Sequence, residues 1–76
     1  MAAKAFLLIE TAMGKSIEVV TSLSKLKGVI SVDTVTGPYD IIAILQGESL
    51  NDVGELITGK INHIAGISRV VTCLAI

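Results

Sequence analysis

The sequence predicts an α+β domain in the order β-α-β-β-α-β, with one four-stranded antiparallel sheet and two helices on one of its faces. Three observations lead there. Apolar strand-like runs alternate along the chain with stripes of helical period. Glycines stand at the joints between them. The chain also repeats itself: Leu26 to Val35 (LKGVISVDTV) aligns with Ile64 to Cys73 (IAGISRVVTC), pairing Gly28 with Gly66, Val32 with Val70 and Thr34 with Thr72. The step from position 28 to position 66 is 38 residues, half of the 76-residue chain. Two βαβ units in tandem make the split βαβ, or ferredoxin-like, plan.

Taken in order, Ala3 to Thr11 (AKAFLLIET) reads as a first strand, followed by a break over Thr11 to Gly14. Lys15 to Leu26 fits a helix whose apolar positions Val19, Leu23 and Leu26 fall at i, i+4 and i+7, with Ile17 and Val20 widening the stripe. Gly28 supplies its stop. Val29 to Thr36 is the second strand, with Ile30, Val32 and Thr34 set opposite Ser31, Asp33 and Val35. Tyr39 to Gln46 is the third, ended by Gly47. Ser49 is the expected N-cap of the second helix, with Asp52 three residues on approximating a capping box. The stripe Val53, Leu56, Ile57, Ile61, Ile64 then runs to a stop at Gly66, although Gly54 and Gly59 interrupt it. Ile67 to Ile76 is the last strand.

A single domain over residues 1–76 buries only about 60% of its unfolded surface and needs a further source of stability. One cysteine allows no internal disulfide, and one Cys with one His cannot build a zinc site. Association remains. The composition agrees, at 51% hydrophobic and 17% charged residues. So do the strands, which are apolar on both faces: Phe6 and Leu8 oppose Leu7 and Ile9, Ile42 and Ile44 oppose Ile41, Ala43 and Leu45, and Val70 and Leu74 oppose Val71, Cys73 and Ala75. Leaving such side chains in water would forgo roughly 1.5–3 kcal/mol each. A second copy packed sheet to sheet is the simplest cover for the helix-free face.

Several function classes are disfavoured. The apolar runs are far shorter than the ~20 residues of a membrane span, and no signal-peptide pattern opens the chain, which points to the cytoplasm. A net charge of -1, scattered basic residues and two aromatics give nucleic acid neither a basic face nor a stacking platform. Gly54 to Lys60 (GELITGK) has the front of a phosphate loop, but Ile61 stands where a Ser or Thr should be and the match lies inside a helical stripe. His63 near a helix C-terminus has no nucleophile or orienting acid assigned to it, and Cys73 reads as a buried thiol in a strand. No cofactor or metal is implied.

The stretch Thr36-Gly37-Pro38-Tyr39-Asp40 is the one concentration of distinctive chemistry. It reads either as a hairpin corner, with Gly and Pro setting the backbone and Asp bonding locally, or as a recognition loop. In the second case Asp40 would receive an ammonium, the N–H groups of Gly37 and Tyr39 a carboxylate, and the Tyr39 ring would wall the pocket.

GVISVDTVTGPYDIIAIL followed by INHIAGISRVVTCLAI resembles the effector-binding, or RAM, domain of the Lrp/AsnC feast/famine transcriptional regulators. The family pattern T-G-x-[YF]-D falls on Thr36 to Asp40, and its P-G-V-like turn on Ala65-Gly66-Ile67, with Ala in place of Pro. The resemblance implies dimers through the sheet, ring-like assemblies of dimers, and an amino-acid effector bound between dimers near Gly37, Tyr39 and Asp40, with Thr36 and Pro38 as neighbours. Full regulators carry an N-terminal helix-turn-helix domain, whereas this sequence starts at the first RAM strand. The expectation is therefore a stand-alone RAM domain that senses an amino acid without catalysis or direct DNA contact and associates with full-length regulators. Two rival readings are a ligand-free interaction module and a small dimeric ferredoxin-like enzyme, the latter needing polar groups that the aliphatic strands do not offer.

Overall fold

The computed structural model describes residues 2–76. Its elements are β1 (Ala3–Thr11), α1 (Ser16–Ser24), β2 (Val29–Thr34), β3 (Ile41–Gly47), α2 (Leu50–Gly59), a 3-10 turn over Ile61–His63, and β4 (Ile67–Leu74). All neighbouring strands are antiparallel and the sheet order is β2-β3-β1-β4. The tandem βαβ plan is thus the observed fold. Both central strands are buried on the helix side, where Ala5, Leu7 and Ile9 of β1 stand level with Leu45, Ala43 and Ile41 of β3. Val19 and Leu23 of α1 and Val53 of α2 close over them, with Ile61 from the 3-10 turn.

The alternate residues of the same strands form the other face. Phe6 lies opposite Ile44 and Cys73, and Leu8 opposite Ile42 and Val71. This apolar centre is rimmed by charge: the Lys4 ammonium sits 5.2 Å from the Phe6 ring centre, and the Arg69 guanidinium donates to Glu10 at 3.3 Å. Cys73 is exposed on this face, which corrects the expectation of a buried thiol. The parity of β4 places it there, on the side that no helix covers.

Three details differ from expectation. Helix α2 ends at Gly59, not Gly66, and Lys60 (φ -128, ψ -55) leaves helical geometry. The exposed Gly59 weakens the helix there, and the 3-10 turn that follows swings Ile61 into full burial. His63 therefore ends a 3-10 turn and is exposed. Strand β2 carries a register shift between Val29 and Ser31. Because one extra residue flips side-chain parity, Val29 joins Val32 on the core side while Ile30 is left 54% exposed. In α1, Ile17 is 82% exposed and does not widen the stripe. It lies about 200° round the helix from Val19.

The N-cap of α2 is as read, since Ser49 Oγ accepts from the Asp52 N–H at 3.1 Å. The internal repeat has a backbone counterpart too. Gly28 and Gly66 hold φ of +100 and +98, each just ahead of a strand. Their packing is reciprocal: Gly28, after α1, lies under Leu56 of α2, and Gly66, after α2, lies under Val19 of α1.

Candidate functional site

Strand β2 ends at Thr34 and β3 begins at Ile41, so the Thr36 to Asp40 motif lies wholly in the connection, two residues longer at each side than the strand patterning predicts. That connection is closed by the Val35 N–H donating to the Asp40 carbonyl at 2.9 Å. The Asp40 N–H in turn donates to the Ile9 carbonyl at 2.9 Å, which fixes the base of the loop to the central strand β1. Gly37 holds φ +126, a conformation that an L side chain rarely adopts, so glycine here is what lets the loop turn. Thr36, Gly37 and Pro38 are exposed, while Tyr39 and Asp40 are half-buried.

The Asp40 carboxylate is partly committed to the protein. Its Oδ2 accepts the Thr11 N–H at 2.8 Å and the Thr11 hydroxyl at 3.3 Å. The cause lies at the end of β3, whose pairing with β1 stops at Ile41 opposite Ile9 and leaves Thr11 no partner on that side. Its N–H takes the carboxylate in place of a ladder carbonyl, and a carboxylate is a strong acceptor. The Thr11 hydroxyl also shares a 2.8 Å hydrogen bond with Ser16 Oγ at the start of α1. Thr11 and Ser16 therefore belong to the loop's support, although nothing in their sequence context marks them. Asp40 combines the two roles that the sequence left as alternatives: Oδ2 makes the local bond of a corner, and Oδ1 has no protein partner among the described residues. Likewise, neither the Gly37 nor the Tyr39 N–H donates to a protein acceptor among the described residues. The loop thus offers two backbone donors beside one oriented carboxylate oxygen.

Removing the Asp40 carboxylate should register as lost stability. Asp40→Ala is expected to cost about 1–2 kcal/mol by leaving the part-buried Thr11 N–H unpaired, while Asp40→Asn, which keeps an acceptor, should lose less than half of that. Urea denaturation of the two variants checks the ranking.

The other sequence candidates are not brought to this loop. Gly54 to Gly59 lies within α2 and Lys60 caps it, so GELITGK is helix and not a strand-to-helix phosphate loop. No group of three or more His, Cys, Asp or Glu side chains among the described residues could hold a metal ion. Among the described residues no helix is long and apolar enough to cross a membrane. A cleft at the opposite end of the sheet, around Gly28, Gly47 and the start of α2, escaped the sequence reading altogether. Its walls come from residues distant in sequence, and no short motif announces it.

The family model for the Lrp/AsnC ligand binding domain matches residues 4–76. The chain belongs to the Lrp/AsnC ligand-binding domain family. Among curated proteins this Lrp/AsnC domain is 29% identical, over 58 residues, to an uncharacterized HTH-type transcriptional regulator of Pyrococcus furiosus, a match covering 76% of this chain and 39% of that protein. The chain therefore spans well under half the length of that relative. Among solved structures it resembles FFRP-DM1, at 35% identity and a TM-score of 0.93 over 97% of this chain and 99% of that one. It is also similar to a hypothetical protein of Pyrococcus horikoshii, at 36% identity and a TM-score of 0.92 over 100% of this chain and 90% of that one. AsnC of E. coli shares the fold at 20% identity, with a TM-score of 0.91 over 97% of this chain and 50% of that one. The RAM resemblance carried by Thr36 to Asp40 and Ala65 to Ile67 thus extends to the whole fold, in a family of transcriptional regulators.

Proposed function

We propose that this Lrp/AsnC domain is a non-enzymatic sensor that binds a free amino acid at the Thr36–Asp40 loop and reports it to transcriptional regulators of its own family in the cytoplasm. The observation that carries the reading is the pairing of donors and acceptor on one loop. Among the described residues the N–H groups of Gly37 and Tyr39 have no acceptor and can take an α-carboxylate, and Asp40 Oδ1 has no donor and can take an α-ammonium while Thr11 holds Oδ2 in place. Tyr39 supplies a wall, with Thr36 and Pro38 at its margins. A transcriptional regulator of Neisseria meningitidis with the same fold, 16% identical, has been solved as a complex with L-Met.

The loop is open to solvent on the single protomer, so a second subunit is needed to close over the ligand. Met13, within the Thr11–Ser16 segment tied to Asp40, and Ile17, next after it, are exposed apolar side chains available for that contact. The helix-free sheet face, centred on Phe6, Leu8, Ile42, Ile44 and Val71, forms a separate two-fold contact, giving a homodimer. Dimers meeting through their loops would assemble further, as rings, and full-length regulators with the same domain can offer the same surfaces. Ligand would bias assembly to the extent that it prefers the closed contact.

Calorimetric titration of the protein with each of the twenty amino acids tests the proposal. Binding by one or a few is expected, weakened about tenfold in Tyr39→Ala, the ~1.4 kcal/mol expected on losing one aromatic wall. Absence of heat with all twenty, or unchanged affinity in the variant, would remove the loop as the site.

A further inference from the structure

The cleft at the other end of the sheet has the makings of a separate ligand site. Strand β3 runs between the two, from Ile41 at the motif loop to Gly47 at the cleft, so they stand roughly 20 Å apart. The cleft is an open depression with a volume of about 660 Å³, within the range of roughly 300–1,000 Å³ typical of small-molecule sites. One wall is the α1–β2 turn, where Gly28 accepts the Gln46 N–H at 2.8 Å, and the other is the first two turns of α2.

Its floor is apolar and closed. Val53 is 1% exposed and Leu56 half-buried, and the bulged Ile30 stands at the mouth. Two glycines bring the strand ends down onto the helix. A Cβ at Gly28 would lie 3.0 Å from Leu56 Cδ2, and one at Gly47 would lie 3.2 Å from Val53 Cγ2 and Asp52 Cβ. A side chain at either position would crowd these α2 residues.

Around this floor stand charges of both signs, Lys27 on one wall and Glu48 and Asp52 on the other. They do not neutralise one another: the ion pairs among the described residues are Lys15–Glu18 and Arg69–Glu10 alone. Separated opposite charges over an apolar floor are complementary to a molecule with the same three parts.

We propose that this cleft binds a small aliphatic zwitterion, with its carboxylate toward Lys27, its ammonium toward Glu48 and Asp52, and its hydrocarbon over Val53 and Leu56. The site lies within one protomer and needs no second subunit to complete it. It does not depend on the motif loop, and the two sites can be occupied independently.

Amide chemical-shift mapping of the 15N-labelled protein tests this with three matched probes: L-leucine, isoamylamine (the ammonium and hydrocarbon alone) and 4-methylpentanoate (the carboxylate and hydrocarbon alone). Leucine is expected to give saturable shifts at Gly28, Gln46, Gly47 and Val53, with either half-molecule binding at least tenfold more weakly. Lys27→Ala should weaken leucine about tenfold and leave isoamylamine unchanged, and Glu48→Gln with Asp52→Asn should weaken leucine and leave 4-methylpentanoate unchanged. All three side chains are exposed, and each variant's own spectrum reports its folding. Saturable shifts confined to residues 36–40 would overturn the cleft site and uphold the loop; shifts confined to the cleft would do the reverse. No saturable shift at the four cleft amides, or equal affinity for leucine and its half-molecules, would overturn the proposal.

Discussion

Replacing Gly66 with alanine is expected to cost about 2–5 kcal/mol, a large fraction of what so small a domain can hold in reserve. Two costs coincide at this position. The backbone φ of +98 places an L residue in the left-handed region, at roughly 1–2 kcal/mol. The added Cβ would also meet Val19 Cγ2 and Lys15 Cβ at 3.0 Å each, and overpacking of that kind costs about 1–3 kcal/mol. Val19 is fully buried on α1 and cannot retreat without moving the helix. The Ala12 N–H donates to the Gly66 carbonyl at 2.8 Å, so a shift at Gly66 also pulls on the segment leading to α1. Gly14 is the natural control. It has φ +77 but nothing within 4 Å of a new Cβ, so Gly14→Ala should cost only the backbone part, about 1–2 kcal/mol. Equal losses for the two variants in urea denaturation would refute the packing contribution.

The second large effect concerns assembly. Leu8 occupies the centre of the open sheet face, between Ile42 on β3 and Val71 on β4. Leu8→Glu leaves the protomer's own core intact, because Leu7 and Ile9 face the helices and Leu8 does not. In a sheet-to-sheet dimer it would bury a carboxylate from each subunit against an aliphatic surface. Several kcal/mol of desolvation would follow, weakening association at least about a thousandfold. Sedimentation equilibrium should report a dimer for the wild type and a folded monomer for the variant at micromolar concentration. A wild type that stays monomeric, or a variant that stays dimeric, would move the contact elsewhere on the molecule.

Residue patterning reaches some features of this protein and not others. Element order and strand parity on β1 and β3 are local properties, because alternation along a strand and i, i+3, i+4 spacing along a helix depend only on neighbouring residues. Leu7 against Leu8, or Ser49 ahead of Asp52, could therefore be placed without a partner strand in view. Parity failed where the chain departs from regular geometry. The bulge after Val29 took Ile30 off the face it was assigned with Val32 and Thr34, and the break after Gly59 reset the phase of Ile61. Both irregularities are set by what the segment packs against, which no short window contains.

The motif Thr36-Gly37-Pro38-Tyr39-Asp40 divides along the same line. Its family, its position between two strands and its need for glycine at position 37 were determined by the sequence itself, since turn chemistry and motif spacing are read along the chain. The direction of the Asp40 carboxylate was decided by tertiary structure, because its partner Thr11 lies 29 residues away and needs that oxygen only once β1 runs past the end of its pairing with β3. The cleft beside Gly28 and Gly47 is likewise a product of tertiary structure. It exists because a turn, a strand end and a helix start converge, and their side chains carry no common signature until they do.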